Sequence, residues 1–217
     1  MQSVNNNSQS IFAGRKILTV LILTFLNLNI MAQTNYKSVK EAKGLQIGDI
    51  VKDFSAVDLH DSTFNLFEAL KKGPVVVIFY RGQWCPICNK HLSTIQDSLQ
   101  LIYDKGASVI AISPEKSKFL KRTAEKTHAS FSLLYDEGYK IANLFDVTFK
   151  PDNLTTVMYN TVLRANLKEA NTDDSQRLPI PATFIIGTDS KIVWRHFDPD
   201  YKKRSTVKDI VDNLPQN

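Results

Sequence analysis

An α/β fold, a central mixed sheet flanked by helices, is the class this sequence predicts, on three observations. Short runs of consecutive apolar, largely β-branched residues recur at Val75 to Tyr80, Val109 to Ile112 and Ala182 to Ile186. Segments with apolar residues at helical spacing lie between the earlier runs. The last run continues through the turn residues Gly187-Thr188-Asp189-Ser190 into Lys191 to Trp194, which reads as a terminal hairpin. Strands alternating with helices bury a sheet on both faces, so continuous apolar strands are expected rather than alternating ones.

The elements follow in order. Residues 33–44 are polar and read as a linker before a single domain, 45–217. Leu66 to Leu70 has the pattern of one helical turn, and Lys72-Gly73-Pro74 breaks the chain before the first long strand. Leu92, Ile95, Leu99 and Ile102 share one helical face, and Lys105-Gly106 is a stop signal. After the second strand, Ser113-Pro114-Glu115 reads as a helix start with Pro in the first turn. Phe131 to Tyr135 predicts a third strand, Tyr139 to Phe145 a short helix, and Ser205 to Leu214 an amphipathic closing helix. Between residues 150 and 177 the pattern is weaker and more polar. This stretch reads as an insertion before the last hairpin, partly helical around Leu154 to Leu167: a lid, a docking surface or a passive decoration.

The N-terminus has the layout of an export signal, 1–32. Arg15 and Lys16 precede an apolar stretch from Ile17 to Ile30, and Ala32 supplies the small residue of a cleavage site. Thr19, Thr24, Asn27 and Asn29 interrupt that stretch, whereas a membrane span needs ~20 mostly apolar residues. An uncleaved anchor is the alternative. The expected location is therefore exported, in a periplasmic compartment. The formal charge of the 217 residues is +5, and removal of the signal lowers it by two. Basic residues are spread along the chain rather than stacked in a stripe, which argues against nucleic-acid binding.

The chain has only two cysteines, Cys85 and Cys88, placed between a strand and a helix. A thiol at a helix N-terminus meets unpaired backbone N–H groups whose partial positive charge favours the reactive thiolate. One turn on, the second thiol is close enough to close a disulfide. Two plainer readings compete. A structural disulfide across two residues closes too small a loop to stabilise much. Half of a zinc site, with His91 as a third ligand, lacks the usual second pair, because His60, His128 and His196 are scattered singly. A redox dithiol needs neither metal nor organic cofactor.

Trp84-Cys85-Pro86-Ile87-Cys88 resembles the active site of thioredoxin-fold proteins. The stretch from Gly48 to about Asn213 is similar to the alkyl hydroperoxide reductase/thiol-specific antioxidant group, the peroxiredoxin-like branch of that fold. Gly48-Asp49-Ile50-Val51-Lys52-Asp53-Phe54, Val109 to Pro114 and Leu133 to Gly138 match its landmarks in order. The resemblance implies a thioredoxin-like fold and a thiol oxidoreductase with Cys85 as nucleophile and Cys88 as resolving thiol. It implies Trp84 shielding the site and Pro181, in Leu178-Pro179-Ile180-Pro181-Ala182, as a cis-proline facing the dithiol. Its partners would be a thioredoxin-like or membrane-linked reductant and a protein disulfide or hydroperoxide.

The sequence also departs from these patterns. Gly82 and Ile78 stand where peroxiredoxins carry a Thr or Ser and a Pro, and Pro181 stands at or near their late Arg. Arg81 is the candidate substitute, or else a solvated charge at a strand end. Phe79 occupies the place of the buried carboxylate of many thioredoxins, leaving no assigned proton acceptor for Cys88. Because positioned donors contribute much to stabilising developing charge, their apparent loss favours an exported thiol-disulfide oxidoreductase cycling Cys85 and Cys88. A thioredoxin-dependent hydroperoxide reductase is the close alternative, and a non-enzymatic binding module with a structural disulfide the distant one.

Overall fold

The structure is a computed structural model and describes residues 36–215. The expected signal sequence, 1–32, lies outside the described residues. No helix among them is long and apolar enough to cross a membrane.

The core is a five-stranded mixed sheet. Its strands are β3 (Val75–Phe79), β4 (Ser108–Ser113), β5 (Ser132–Tyr135), β8 (Ala182–Ile186) and β9 (Ile192–Phe197). The spatial order is β5-β4-β3-β8-β9. β3, β4 and β5 run parallel, while β8 and β9 are antiparallel to their neighbours. All five residues of the central β3 are buried, as are all five of β8. Each large apolar side chain so covered contributes roughly 1.5–3 kcal/mol. This explains the unbroken apolar runs in the sequence: both faces of the sheet are covered.

Two separate cores form on those faces. On one, Val76, Ile78 and Tyr80 pack with Cys85, Cys88, Leu92, Ile95 and Ile102. On the other, Val75, Val77 and Phe79 pack with Ile110, Ile112, Phe145 and Phe184. The period of two along β3 therefore sorts its side chains into a face that carries the dithiol and a face that only packs.

Helices α1 (Leu66–Leu70), α2 (Pro86–Asp97) and α3 (Leu99–Tyr103) are the early ones. The single helix expected across Leu92 to Ile102 is broken at Ser98, which has φ −120° and ψ 17°, but both halves keep their apolar face buried. α4 (Ser117–Thr127) begins two residues after Glu115, with Lys116 as its cap. The helix thus starts later than the reading at Ser113-Pro114-Glu115. Glu115 instead forms a backbone bridge with Asn171 and turns its side chain into the core.

α5 (Lys140–Leu144) leads to β6 (Thr148–Phe149), which pairs with β7 (Leu178–Pro179). The segment between β6 and β7 is thereby closed at its base by a two-stranded pair. It holds α6 (Asn153–Thr161) and α7 (Leu167–Ala170). A small hairpin, β1 (Ser55–Val57) and β2 (Thr63–Asn65), and a final helix, α8 (Val207–Asp212), complete the fold.

Candidate active site

The site forms where β3 ends. Tyr80 continues the strand, Arg81 and Gly82 leave it, and Cys85 becomes the N-cap of α2. The Cys85 sulfur accepts a hydrogen bond from the Cys88 backbone N–H at 3.3 Å. Pro86 at the first helical position has no N–H to leave unpaired. The helix thus points one of its free first-turn donors at the sulfur, as the strand–Cys–Pro–helix pattern implies.

The two cysteines are free rather than joined in a disulfide, and both are buried, Cys85 at 0% and Cys88 at 1% exposure. Their acidities are driven apart. A hydrogen bond from the Cys88 thiol brings Cys85 down to about 6, against the opposing effect of burial and with the help of the Arg81 charge. Burial pushes Cys88 well above the ordinary thiol range, and its bond to Cys85 adds to this. Cys85 is the thiolate and Cys88 the proton-bearing partner.

Arg81 lies in the site and is not a solvated charge: it is only 2% exposed. Its Nη2 donates to the Cys85 sulfur at 3.2 Å and its Nη1 to the Tyr159 hydroxyl at 2.7 Å. The guanidinium carbon sits 5.0 Å from the ring centres of Trp84 and Tyr159 and 4.0 Å from that of Tyr201. Among the described residues no carboxylate pairs with it. A buried cation without a carboxylate needs another negative charge nearby, and the Cys85 thiolate provides one.

Trp84 is 5% exposed, lies in the same buried cluster as both cysteines, and its ring packs tilted on Tyr159 with centroids 5.0 Å apart. Tyr159 belongs to α6, and the segment 150–177 therefore supplies part of the site. A cleft of about 500 Å3 reaches Arg81, lined also by Tyr36, Phe149, Tyr159, Ile180, Pro181 and Tyr201.

Pro181 lines this cleft, but the cis bond expected before it is absent: no peptide bond among the described residues is cis. Leu178 and Pro179 pair with β6, and the Ile180 N–H donates to the Val147 carbonyl at 2.7 Å. These bonds carry the chain extended into β8 with no reversal at Pro181.

The zinc alternative finds no support in the placement of His91. Its Nε2 lies 3.1 Å from the Ser205 carbonyl oxygen, and burial lowers the imidazole to about 4. Among the described residues no group of three His, Cys, Asp or Glu side chains is arranged to hold a metal.

Sequence reasoning missed four site residues. Tyr159 and Tyr201 cage Arg81 from 78 and 120 positions away. The Arg204 Nη2 donates to the Cys88 sulfur at 3.5 Å from the loop before α8. Glu115, at 0% exposure, accepts the Gln83 N–H on Oε2 at 2.8 Å. No local motif marks any of them. Glu115 alone left a trace, as the carboxylate of a helix-start pattern that the helix does not use.

A dithiol capping a helix after a central parallel strand, with an antiparallel hairpin beyond it, defines a thiol-redox protein of thioredoxin-like fold. The comparisons place it further. The AhpC/TSA family matches residues 47–195, and the chain belongs to that family. It is 30% identical over 138 residues to the chloroplastic peroxiredoxin Q of Populus jackii, covering 64% of this chain and 62% of that one. It is 32% identical over 103 residues to the peroxiredoxin Bcp of Escherichia coli, covering 48% of this chain and 65% of that one. The chain thus spans less than two thirds of the length of these relatives. The structure of the peroxidoxin BcpB of Mycobacterium tuberculosis superposes with a TM-score of 0.57 at 25% identity, covering 70% of this chain and 86% of that one.

Proposed function

We propose that this protein is a thiol peroxidase that reduces small hydroperoxides with Cys85 and closes a Cys85–Cys88 disulfide in each turnover. The observation that carries this reading is the burial of Cys85 behind Arg81 at the end of a cleft. A sulfur with no exposed surface is poorly placed to meet the disulfide of a folded protein. A hydroperoxide is small enough to enter the cleft. This reverses the preference for disulfide exchange that the residue pattern alone suggests.

The chemistry follows from the donors. The Cys85 thiolate attacks the terminal peroxide oxygen, the O–O bond breaks, and the alkoxide or hydroxide leaves with the electron pair and takes a proton. The Tyr159 hydroxyl accepts its bond from Arg81, so its own proton is free to be donated toward the cleft. Arg81 holds the thiolate and offsets the negative charge spreading onto oxygen. The missing Thr of the family pattern is thus compensated by groups from α6 and the end of β3. Cys88 then displaces the oxygen from the Cys85 sulfenic acid. A thioredoxin-type dithiol would restore the pair, and the Ile17 to Ile30 stretch supports export, testable by sequencing the N-terminus of the secreted protein.

Stopped-flow fluorescence tests the activity, because Trp84 directly precedes Cys85 and is buried in one cluster with both thiols. The reduced protein is mixed with hydrogen peroxide in one run and with a disulfide peptide in another. Fast quenching by peroxide alone is expected, with none in Cys85→Ser. Rapid exchange with the peptide and slow peroxide oxidation would instead make it a disulfide oxidoreductase.

A further inference from the structure

We propose that Glu115 is the acceptor of the proton that Cys88 releases when its sulfur closes the disulfide with Cys85. This rests on the Cys85–Cys88 cycle proposed above. Glu115 leaves the end of β4 and buries its carboxyl against Gly82, Gln83 and Trp84, in the turn that leads into the dithiol. Its carboxyl is fully buried. Oε2 is held by the Gln83 N–H, but Oε1 has no partner. A buried, half-used carboxyl is expensive to keep unless it has work to do.

The backbone is shaped to admit it. Gly82 has φ +151°, and a Cβ there would lie 2.5 Å from Glu115 Oε1 and 2.7 Å from the Trp84 indole nitrogen. The position where the family pattern has Thr or Ser must be Gly here, because the carboxylate and the indole fill that space. The chain has exchanged a hydroxyl beside Cys85 for a buried carboxyl.

The titratable groups that act on Glu115 come from three elements. Tyr80 extends β3 and is buried. Cys88 comes from α2, and Arg122 and Lys126 from α4. Neither cation forms an ion pair with it: the Lys126 Nζ is engaged by the Gln83 carbonyl and side-chain oxygens, and Arg122 stacks on Phe119 at 5.0 Å. Burial, opposed by the Gln83 N–H and reinforced by Cys88, raises the Glu115 carboxyl to about 8. That leaves it more acidic than the Cys88 thiol and a far better base than an ordinary carboxylate.

The step balances. The Cys88 S–H proton passes to the Glu115 carboxylate, and the sulfur electron pair forms the S–S bond. The S–O bond of the Cys85 sulfenic acid breaks, and the oxygen leaves with its electron pair and takes a proton from solvent as water. On reduction of the disulfide, Cys88 leaves as thiolate and Glu115 returns the proton.

The test is the second, resolving phase of peroxide stopped-flow in Glu115→Gln, which keeps an oxygen for the Gln83 N–H. The first phase should be unchanged. The second should slow on the order of 100-fold, and its rise with pH near 8 should vanish. A second phase with the native rate and pH profile would overturn the inference while leaving the peroxidase reading intact. If the native protein loses no hydrogens to a Cys85–Cys88 disulfide by mass after one equivalent of peroxide, both fall together. Should the variant not fold, infrared difference spectra of the native dithiol and disulfide forms decide. A buried carboxyl band that changes protonation supports Glu115, and an unchanged band overturns it.

Discussion

The two sides of the dithiol differ more than two thiols three residues apart would suggest. On the cleft side, Cys85 meets a guanidinium, a backbone N–H at a helix start and the Cys88 thiol. On the inner side, Cys88 is enclosed by apolar side chains, with Arg204 at 3.5 Å and a carboxyl that faces no matched cation. One side lowers the charge cost of a thiolate, and the other raises it. The motif sets the spacing, but the residues that divide the labour come from β3, β4, α6 and the loop before α8.

The largest effect should come from exchanging the cysteines. Cys85→Ser is expected to abolish peroxide consumption. Cys88→Ser should keep the first attack and stall after a single turnover with Cys85 as a sulfenic acid, which dimedone labelling would detect. Equal loss of the first step in both would mean that the two sides are not specialised.

Next in size is Arg81→Met. The attack at pH 7 should slow on the order of 100-fold. The thiolate is the reactive form, so the rate rises with pH through the Cys85 value of about 6. Without the guanidinium that inflection should move up toward the ordinary thiol range, read by alkylation rate against pH. An inflection that stays in place would mean that the Cys88 thiol and the helix start suffice.

A smaller effect is expected from Gly82→Thr, which restores the residue of the family pattern. The added Cβ would meet Glu115 and Trp84 at 2.5 and 2.7 Å in a backbone conformation that side chains avoid. We expect a loss of roughly 1–3 kcal/mol in stability and no gain in peroxidase rate. Increased activity would show that the inner carboxyl is dispensable.

The sheet was legible because a strand covered on both faces must be apolar throughout, as β3 and β8 are. The dithiol was legible because its chemistry sits within one turn of chain. Tyr159, Tyr201 and Arg204 were not, since each acts from an element whose own pattern carries no hint of the site. Glu115 was misread for a physical reason: Ser-Pro-Glu is a good helix start locally, but burial beside Gly82 draws the carboxyl inward and α4 begins later. The cis bond at Pro181 was inferred from neighbours in other proteins, while here the β6–β7 pairing keeps the chain extended.

The smallest effect, and the one that best isolates the inner side, is the pH dependence of stability. Glu115 is raised from 4.5 to about 8, so the folded state holds a proton that the unfolded chain has already released. Its contribution is therefore full below the unfolded value and is lost as pH rises through about 8. Three other groups overlap it. Asp136 is raised to about 6 by burial and acts in the same direction at lower pH. His91, lowered from 6.5 to about 4, acts in the opposite direction below 6.5. Cys85, lowered from 9 to about 6, also opposes it and would mask it in the native protein. A Cys85→Ser background removes that masking, and the interval between pH 6.5 and 8 avoids the other two. Over that interval stability should fall by about 2 kcal/mol at most, from 1.4 kcal/mol per unit. Adding Glu115→Gln should flatten the curve in urea unfolding. A slope that survives the second substitution would place the titrating group elsewhere and remove the contrast between the two sides of the dithiol.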